Sequence, residues 1–465
     1  MTDLERALAA ADAGLDASVA RLCDFIAIPS VSTDPAHAAD CRRAAGWLVG
    51  ELAGIGMSAS LRDTARHPMV VAHDAAGSGP HVLFYGHYDV QPPDPLDLWT
   101  TPPFEAQLLP QPNGDTWITG RGASDDKGQL LTFVEACRAW KTATGALPVR
   151  VSMLFEGEEE ISSPSLGSFL DATAEELRAD IVLVCDTDMW NRDIPAITTM
   201  MRGLVGEEIT LTAADRDLHS GIFGNAARNA LELLATVLGN IRDAQGHVTV
   251  PGFYDKVQEL PEAIRATWAR LPFDAAAFLG GVGLSEPAGE AGRSVLEQVW
   301  ARPSFELHGL WGGFTGEGFK TVIPAQAQAK ISFRLVAGQD PEAIRAAFRA
   351  HVRAALPPDV RVEFTTHGGS PATILPHDGA LLHSALAGLA DEWGDAAIAG
   401  TGGSIPILNA FRDRLGMDAL LVGFARFDNR VHSPNEKYDL SSYHRGIRSW
   451  VRILDRFAKD HQTTG

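Results

Sequence analysis

Five short stretches set imidazole or carboxylate side chains directly after apolar runs or before a helix. "HVLFYGHYDV" ends in His87 and Asp89, and "GRGASDDKG" supplies Asp125 and Asp126 just ahead of a helical stretch. "MLFEGEEE" ends in Glu158, Glu159 and Glu160, "IVLVCD" ends in Asp186, and His432 stands in "NRVHSPNEKYDL". Gathered in one crevice, so many carboxylates repel one another and are expensive to desolvate, so a bound cation is the simplest compensation. The donor set is rich in oxygen, contains imidazole and has no thiolate. That chemistry suits zinc, manganese or cobalt better than an iron–sulfur centre.

Such residues meet only if the elements carrying them end at a common edge. "MVVAH", "HVLFYG", "VRVSMLFEG", "DIVLVCD" and "ALLVGF" are apolar runs of strand length without polar alternation, the pattern of strands covered on both faces of a parallel sheet. Residues 4–27 and 38–53 have helical periodicity, and helical stretches such as 128–141 and 165–178 separate most of the strands. Residues 1–202 and 371–465 are therefore predicted to form one discontinuous α/β domain with a mostly parallel sheet, whose strand carboxyl ends share the ligand-binding edge. The middle of the chain reads differently. "GEEITLTAAD", "AQAKISFRLV" and "VRVEFTTH" alternate as half-exposed antiparallel strands do, with amphipathic helices in "ARNALELLATVLGNI" and "DPEAIRAAFRAHVRAAL". An inserted α+β domain over 203–370 follows. "QPPDPLDLWTTPPFE" reads as an ordered loop beside the first polar pair.

Composition excludes several classes. At 465 residues with 45% hydrophobic content, the chain is long enough for more than one core. Its net charge of -20 argues against nucleic acid or an anionic membrane as partner, because phosphate binding needs clustered Lys and Arg. Asp3, Glu5 and Asp12 stand where a signal peptide has a basic start and an apolar run, and no stretch offers 18 uninterrupted apolar residues, so a cytoplasmic protein is expected. Cys23, Cys41, Cys137 and Cys185 are too far apart for a C-x-x-C motif and are expected to be buried thiols. There is no G-x-S-x-G, H-E-x-x-H or P-loop.

Taken in order, "GHYDVQP", "GRGASDDKG", "EGEEE", "CDTD", "DLHSGIFG", "KTVIP", "GGSIP" and "VHSPNE" resemble the cocatalytic di-zinc metallopeptidases that include aminoacylases, carboxypeptidases and carnosinases. Their spacing is most similar to the dipeptidase branch, that of carnosinase and cysteinylglycine dipeptidase. The resemblance spans nearly the whole chain. It implies a zinc-peptidase-like three-layer α/β/α catalytic domain, with a ferredoxin-like lid and dimerisation domain inserted. It further implies two divalent ions, zinc first with manganese or cobalt as alternatives, held by His87 and Asp186 on one side, Glu160 and His432 on the other, and Asp125 between them. Asp89 would orient His87. Glu159 would be the general base that takes a proton from water and hands it to the departing amine. His219 in "DLHSGIFG" would stabilise the oxyanion from the partner subunit of a homodimer. Arg334 would clamp a substrate carboxylate, with Thr321, Ser404, Gly402 and Gly403 as further contacts. A site of this kind favours short peptides.

Plainer readings stand beside these. Glu158–Glu160 also fit a solvated helix start near the positive end of the macrodipole, and Asp186 also fits a strand-end turn or cap. For Arg334 the plainer reading is an ion pair with a surface carboxylate, the commoner fate of an arginine. His73, His81, His308 and His377 are expected to be structural. The same metals and base would also serve an amidohydrolase that removes an acyl group from an amino acid, while a non-catalytic binding protein on the same fold should lack ligands or base, all of which are present here. Gly400 and Thr401 stand where the dipeptidase branch often has an arginine and an acidic residue, Glu158 where an uncharged residue is frequent, and Ser162 where glycine is. These departures bear on specificity.

Overall fold

The computed structural model describes residues 1–375, 379–403 and 407–464, with side chains as far as 460. The chain divides into two compact units, Met1–Thr199 with Leu375–Ala399 and Pro406–Gly465, and Met200–Ile374 with Gly400–Ile405.

In the first unit, strands Arg150–Glu156, His81–His87, Ile181–Val184 and Ala419–Gly423 lie side by side in that order and run parallel. Antiparallel strands extend this core. Met69–Asp74 and Ser58–Arg62 add to one side, and Ala196–Met201 to the other. Met69–Asp74 is as apolar as its parallel neighbours because both of its faces are covered, and burial does not depend on strand direction.

Side chains along His81–His87 alternate between two helical layers. Phe84 points to one layer, where it stacks on Phe133 with ring centroids 4.0 Å apart, and Trp450 meets Phe133 edge-on at 5.2 Å. Phe133 belongs to helix Lys127–Thr144, which is buried along almost its whole length beneath Asp3–Ala13, Leu15–Ile26 and Leu440–Thr464. That helix stops at Gly145, whose φ of 81° is a left-handed cap that glycine adopts without a Cβ penalty. Tyr85 points to the other layer and meets Phe411 edge-on at 5.5 Å, beside helix Leu166–Leu177. The periodic run 4–27 is two helices, interrupted at Gly14.

A small antiparallel sheet of Gln107–Pro110, Thr116–Thr119 and Lys437–Asp439 lies outside this frame. It draws residues 120–126 and 429–436 together, with Gly120 N–H donating to Glu436 O at 3.0 Å.

The second unit is a four-stranded antiparallel sheet in the order Ser304–Gly312, Gln326–Leu335, Gly203–Thr212, Arg361–Ser370. Helices Ala230–Gly239 and Pro341–Ala355 pack their buried residues into its core. Numbered along the chain, the strands lie 2-3-1-4, the ferredoxin-like arrangement in which each helix crosses between two parallel, non-adjacent strands. Gly203–Thr212 alternates strictly between buried and half-buried residues, so one sheet face is covered and the other is more open. Among the described residues no helix is long and apolar enough to cross a membrane.

Candidate metal centre

Strand register sets the level at which the first polar residues stand. Tyr85 pairs with Val184 on one side, and His87 pairs with Glu156 on the other. Asp186 lies two residues beyond Val184, as His87 lies two beyond Tyr85, so both emerge at one height on the carboxyl edge. Glu159 and Glu160 follow Glu156 in a single 3-10 turn, Glu159–Ile161. Asp125 precedes helix Lys127–Thr144, and His432 lies in the loop after Ala419–Gly423.

These residues form two triads, His87–Asp125–Asp186 and Asp125–Glu160–His432, in each of which one ligand atom per residue lies within 4.8 Å of the others. His87 Nε2 is 3.1 Å from Asp125 Oδ1 and 3.7 Å from Asp186 Oδ2. His432 Nε2 is 2.8 Å from Asp125 Oδ2 and 3.3 Å from Glu160 Oε2. The two oxygens of Asp125 thus face the two triads separately. His87 Nε2 and Glu160 Oε1 are buried and make no hydrogen bond despite this crowding. Buried donor atoms left without a partner so close to other carboxylates are what a bound cation would satisfy. Two imidazoles and three carboxylates fit two divalent cations of the borderline class.

The electrostatics agree. Burial, reinforced by Asp125, raises the pKa of Asp186 well above the carboxylate range. Glu159 is pushed up to about 7, by burial first and then by the charges of Glu160, Asp125 and Asp89, with His87 opposing. Asp125 and Glu160 hold the His432 imidazolium, raising its pKa to about 10. Carboxylates crowded in this way take up protons or cations to relieve their mutual repulsion.

Surrounding groups fix the ligands. His87 Nδ1 lies 3.1 Å from the Asp89 carbonyl oxygen and 3.4 Å from its carboxylate. Gln91 Nε2 donates to Glu160 Oε2 at 2.7 Å. Glu158 is fully buried and accepts from the backbone N–H groups of His67 and Ser165, each at 2.9 Å, which pins the turn carrying Glu159 and Glu160. Glu436 accepts from Arg121 at 2.7 Å and from the N–H groups of Gly122, Ser124 and Asp125 at 3.0, 2.9 and 3.1 Å. The segment that presents Asp125 is therefore wrapped around one carboxylate from the His432 loop. Asp126 belongs to neither triad and accepts the His87 N–H at 3.2 Å. His432 itself adopts φ 60°, a left-handed backbone uncommon for a residue with a side chain. Gln91, Glu158 and Glu436 were not assigned these positions from sequence; for Glu436 the one available signal was its place in "VHSPNE".

The remaining candidates belong to the second unit. Leu218–His219 pairs with Val322–Ile323, and Ser220 N–H donates to Thr321 O at 3.1 Å, so His219 and Thr321 are neighbours. His219 Nδ1 accepts the Gly221 N–H at 2.9 Å, an arrangement that leaves the proton of the neutral ring on Nε2. Arg334 is half-buried on the open sheet face, and its charge adds to burial in lowering the pKa of Arg202 to about 10. A Cβ on Gly402 would lie 2.8 Å from Arg202 Nη2, so a side chain there would displace that guanidinium. Gly403 is exposed, with its N–H donating to Thr401 Oγ1 at 3.2 Å. Ser404 and His377 lie outside the described residues. His73 and His81 both hydrogen-bond Ser152 Oγ at 2.8 Å, and His308 bonds Ser332 Oγ at 2.7 Å.

The profile of peptidase family M20/M25/M40 matches residues 83–456. The Cys-Gly metallodipeptidase dug1 of Schizosaccharomyces pombe is 30% identical over 95% of this chain and 96% of its own length. The Beta-Ala-His dipeptidase of Homo sapiens is 29% identical over 85% of this chain and 78% of its own. Among solved structures, the di-peptidase Dug1p from Saccharomyces cerevisiae superimposes with a TM-score of 0.79 at 27% identity, covering 99% of both chains.

Proposed function

Because the chain belongs to peptidase family M20/M25/M40 and is a metal-dependent peptide-bond hydrolase, we propose that its substrates are dipeptides and that the residues around Asp125 carry out the chemistry. The observation that carries this reading is the pair of triads sharing Asp125, with Glu159 in the turn beside them. The similarity to relatives named as Cys-Gly and Beta-Ala-His dipeptidases supports dipeptides over larger substrates.

In this proposal His87, Asp125, Asp186, Glu160 and His432 hold two divalent ions, zinc being the favoured identity for a nitrogen and oxygen donor set. Bound there, such a pair supplies Lewis acidity and lowers the pKa of water at the site. Asp89 keeps the His87 ring in register. Glu159 takes the proton of the attacking water at its carboxylate and returns it to the leaving amine nitrogen. His219, through Nε2–H, donates to the oxyanion, and Arg334 holds the terminal carboxylate of the substrate. Thr321, Gly403 and Ser404 complete the substrate contacts.

The same proposal includes a homodimer formed through the second unit, in which each His219 serves the neighbouring protomer. Its support is the strand Ser304–Gly312, which lies at an edge of its sheet and exposes Leu307, Leu310 and Trp311. Four free cysteines support a reducing, cytoplasmic setting.

Elemental analysis of the purified protein, followed by assay of the metal-loaded form on dipeptides and on N-acyl amino acids, tests the reading. Two equivalents of a divalent metal and turnover of dipeptides are expected. Exclusive turnover of N-acyl amino acids would reassign the enzyme as a deacylase.

A further inference from the structure

Next to Glu159 the first unit contains a cavity of about 220 Å³ that the reaction outlined above leaves unused. Leu166, Gly167, Ile407 and Ala410 form its apolar lining, Ser162 and Ser163 add two hydroxyls, and among the described residues that line it Glu159 alone is charged. Leu166 and Ile407 are buried, while Ser162 is exposed and marks the open side.

Its size matters first. Sites that enclose a whole drug-sized ligand run to about 300–1,000 Å³, so this cavity accommodates one side chain and not a peptide. Its chemistry comes next: a charged side chain placed against Leu166 and Ile407 would lose its hydration, and the carboxylate at the border, Glu159, is taken up by the proton transfer. Finally, its walls are held in place. Ser162 and Ser163 adopt left-handed backbone with φ of 68° and 49°, and Ser163 Oγ donates to Glu156 Oε1 at 2.9 Å. Gly167 sits against the Arg414 guanidinium, where a Cβ would come within 2.9 Å of Nη2, and Arg414 is itself paired with Asp171.

Resting on the dipeptidase reading, we propose that this cavity is the subsite for the side chain of the residue that supplies the scissile carbonyl, and that it selects uncharged aliphatic or thioether side chains such as those of leucine and methionine. The carbonyl carbon must stand beside Glu159 during attack. The side chain on that same residue branches one atom away and is the part of the substrate placed to enter a space that Glu159 borders.

The test compares kcat/KM for Leu-Gly, Gly-Leu, Phe-Gly and Gly-Gly on the metal-loaded enzyme. Wild type is expected to prefer Leu-Gly over Gly-Gly by at least about tenfold, the discrimination that even one methylene gives in an apolar pocket. Ala410→Leu, which fills the cavity, should lower the Leu-Gly to Gly-Gly ratio by at least about tenfold and leave the Gly-Leu to Gly-Gly ratio in place. An unmoved Leu-Gly ratio, or a fall confined to Gly-Leu, overturns the assignment. Ile407→Ala enlarges the same space and should raise Phe-Gly relative to Leu-Gly; should Ala410→Leu yield no folded protein, the absence of that rise overturns the assignment alone. Wild type that cleaves no dipeptide defeats the activity itself, a result distinct from an active enzyme whose ratios do not move.

Discussion

The carboxylate of Asp89 accepts the backbone N–H of Glu159 at 3.3 Å and that of Glu160 at 3.2 Å, while lying 3.4 Å from Nδ1 of His87. One buried anion therefore orients an imidazole at the end of one strand and the turn after the next. We expect Asp89→Asn to weaken metal binding by about 10- to 100-fold, because an amide can satisfy only part of this set and presents N–H to N–H elsewhere. Competition with a chromophoric chelator measures the change. Unaltered affinity would detach Asp89 from the centre.

Glu159→Gln removes a proton acceptor while nearly conserving shape. Its kcat should fall by about a hundred- to ten-thousand-fold, with metal content close to that of wild type. Activity within a few-fold of wild type would show that another group takes the proton.

Glu436 and Arg121 form a fully buried ion pair at 2.7 Å. Glu436→Ala leaves a buried guanidinium and three backbone N–H groups without their acceptor, a loss expected to destabilise the fold by about 3–5 kcal/mol. Denaturant unfolding reads the stability directly. Metal content should fall with it, because the Asp125 segment loses the group it is wrapped around.

Glu156 is buried with Tyr85 OH and Ser163 Oγ as its donors, and burial pushes its pKa from the ordinary 4.5 up to about 8. A carboxyl with a raised folded-state pKa contributes stability that is present below its unfolded value and lost as pH rises through the folded one. Wild type should therefore lose stability relative to Glu156→Gln between pH 5 and pH 8, by at most about 1.4 kcal/mol per pH unit. Thermal melts of both proteins at pH 5.5 and pH 8.5 check the sign. A difference independent of pH would mean that Glu156 is already charged throughout.

The parallel core was legible in the sequence because its strands are apolar almost throughout, and two of them lead straight into a polar residue of the site, "HVLFYGH" at His87 and "IVLVCD" at Asp186. The ferredoxin-like unit was legible through the alternation along Gly203–Thr212 and Gln326–Leu335. Its edge strand Ser304–Gly312 was not. A bulge between Leu307 and Gly309 breaks the two-residue period, and the exposed apolar side chains of this edge strand hide the distinction between its faces. The sheet formed by 107–110, 116–119 and 437–439 was not legible because its strands are short and its third strand pairs with residues more than 300 positions away. Glu436 was invisible for a related reason: it acts on backbone amides 311 to 314 positions away, and amides carry no residue identity to read.

Asp125 turns one oxygen towards His87 and the other towards His432. If the two triads hold cations as proposed, filling either half would withdraw electron density from the carboxylate on which the other half also depends. Loading should then not follow a sum of two independent isotherms, and Asp125→Ala should weaken both halves together.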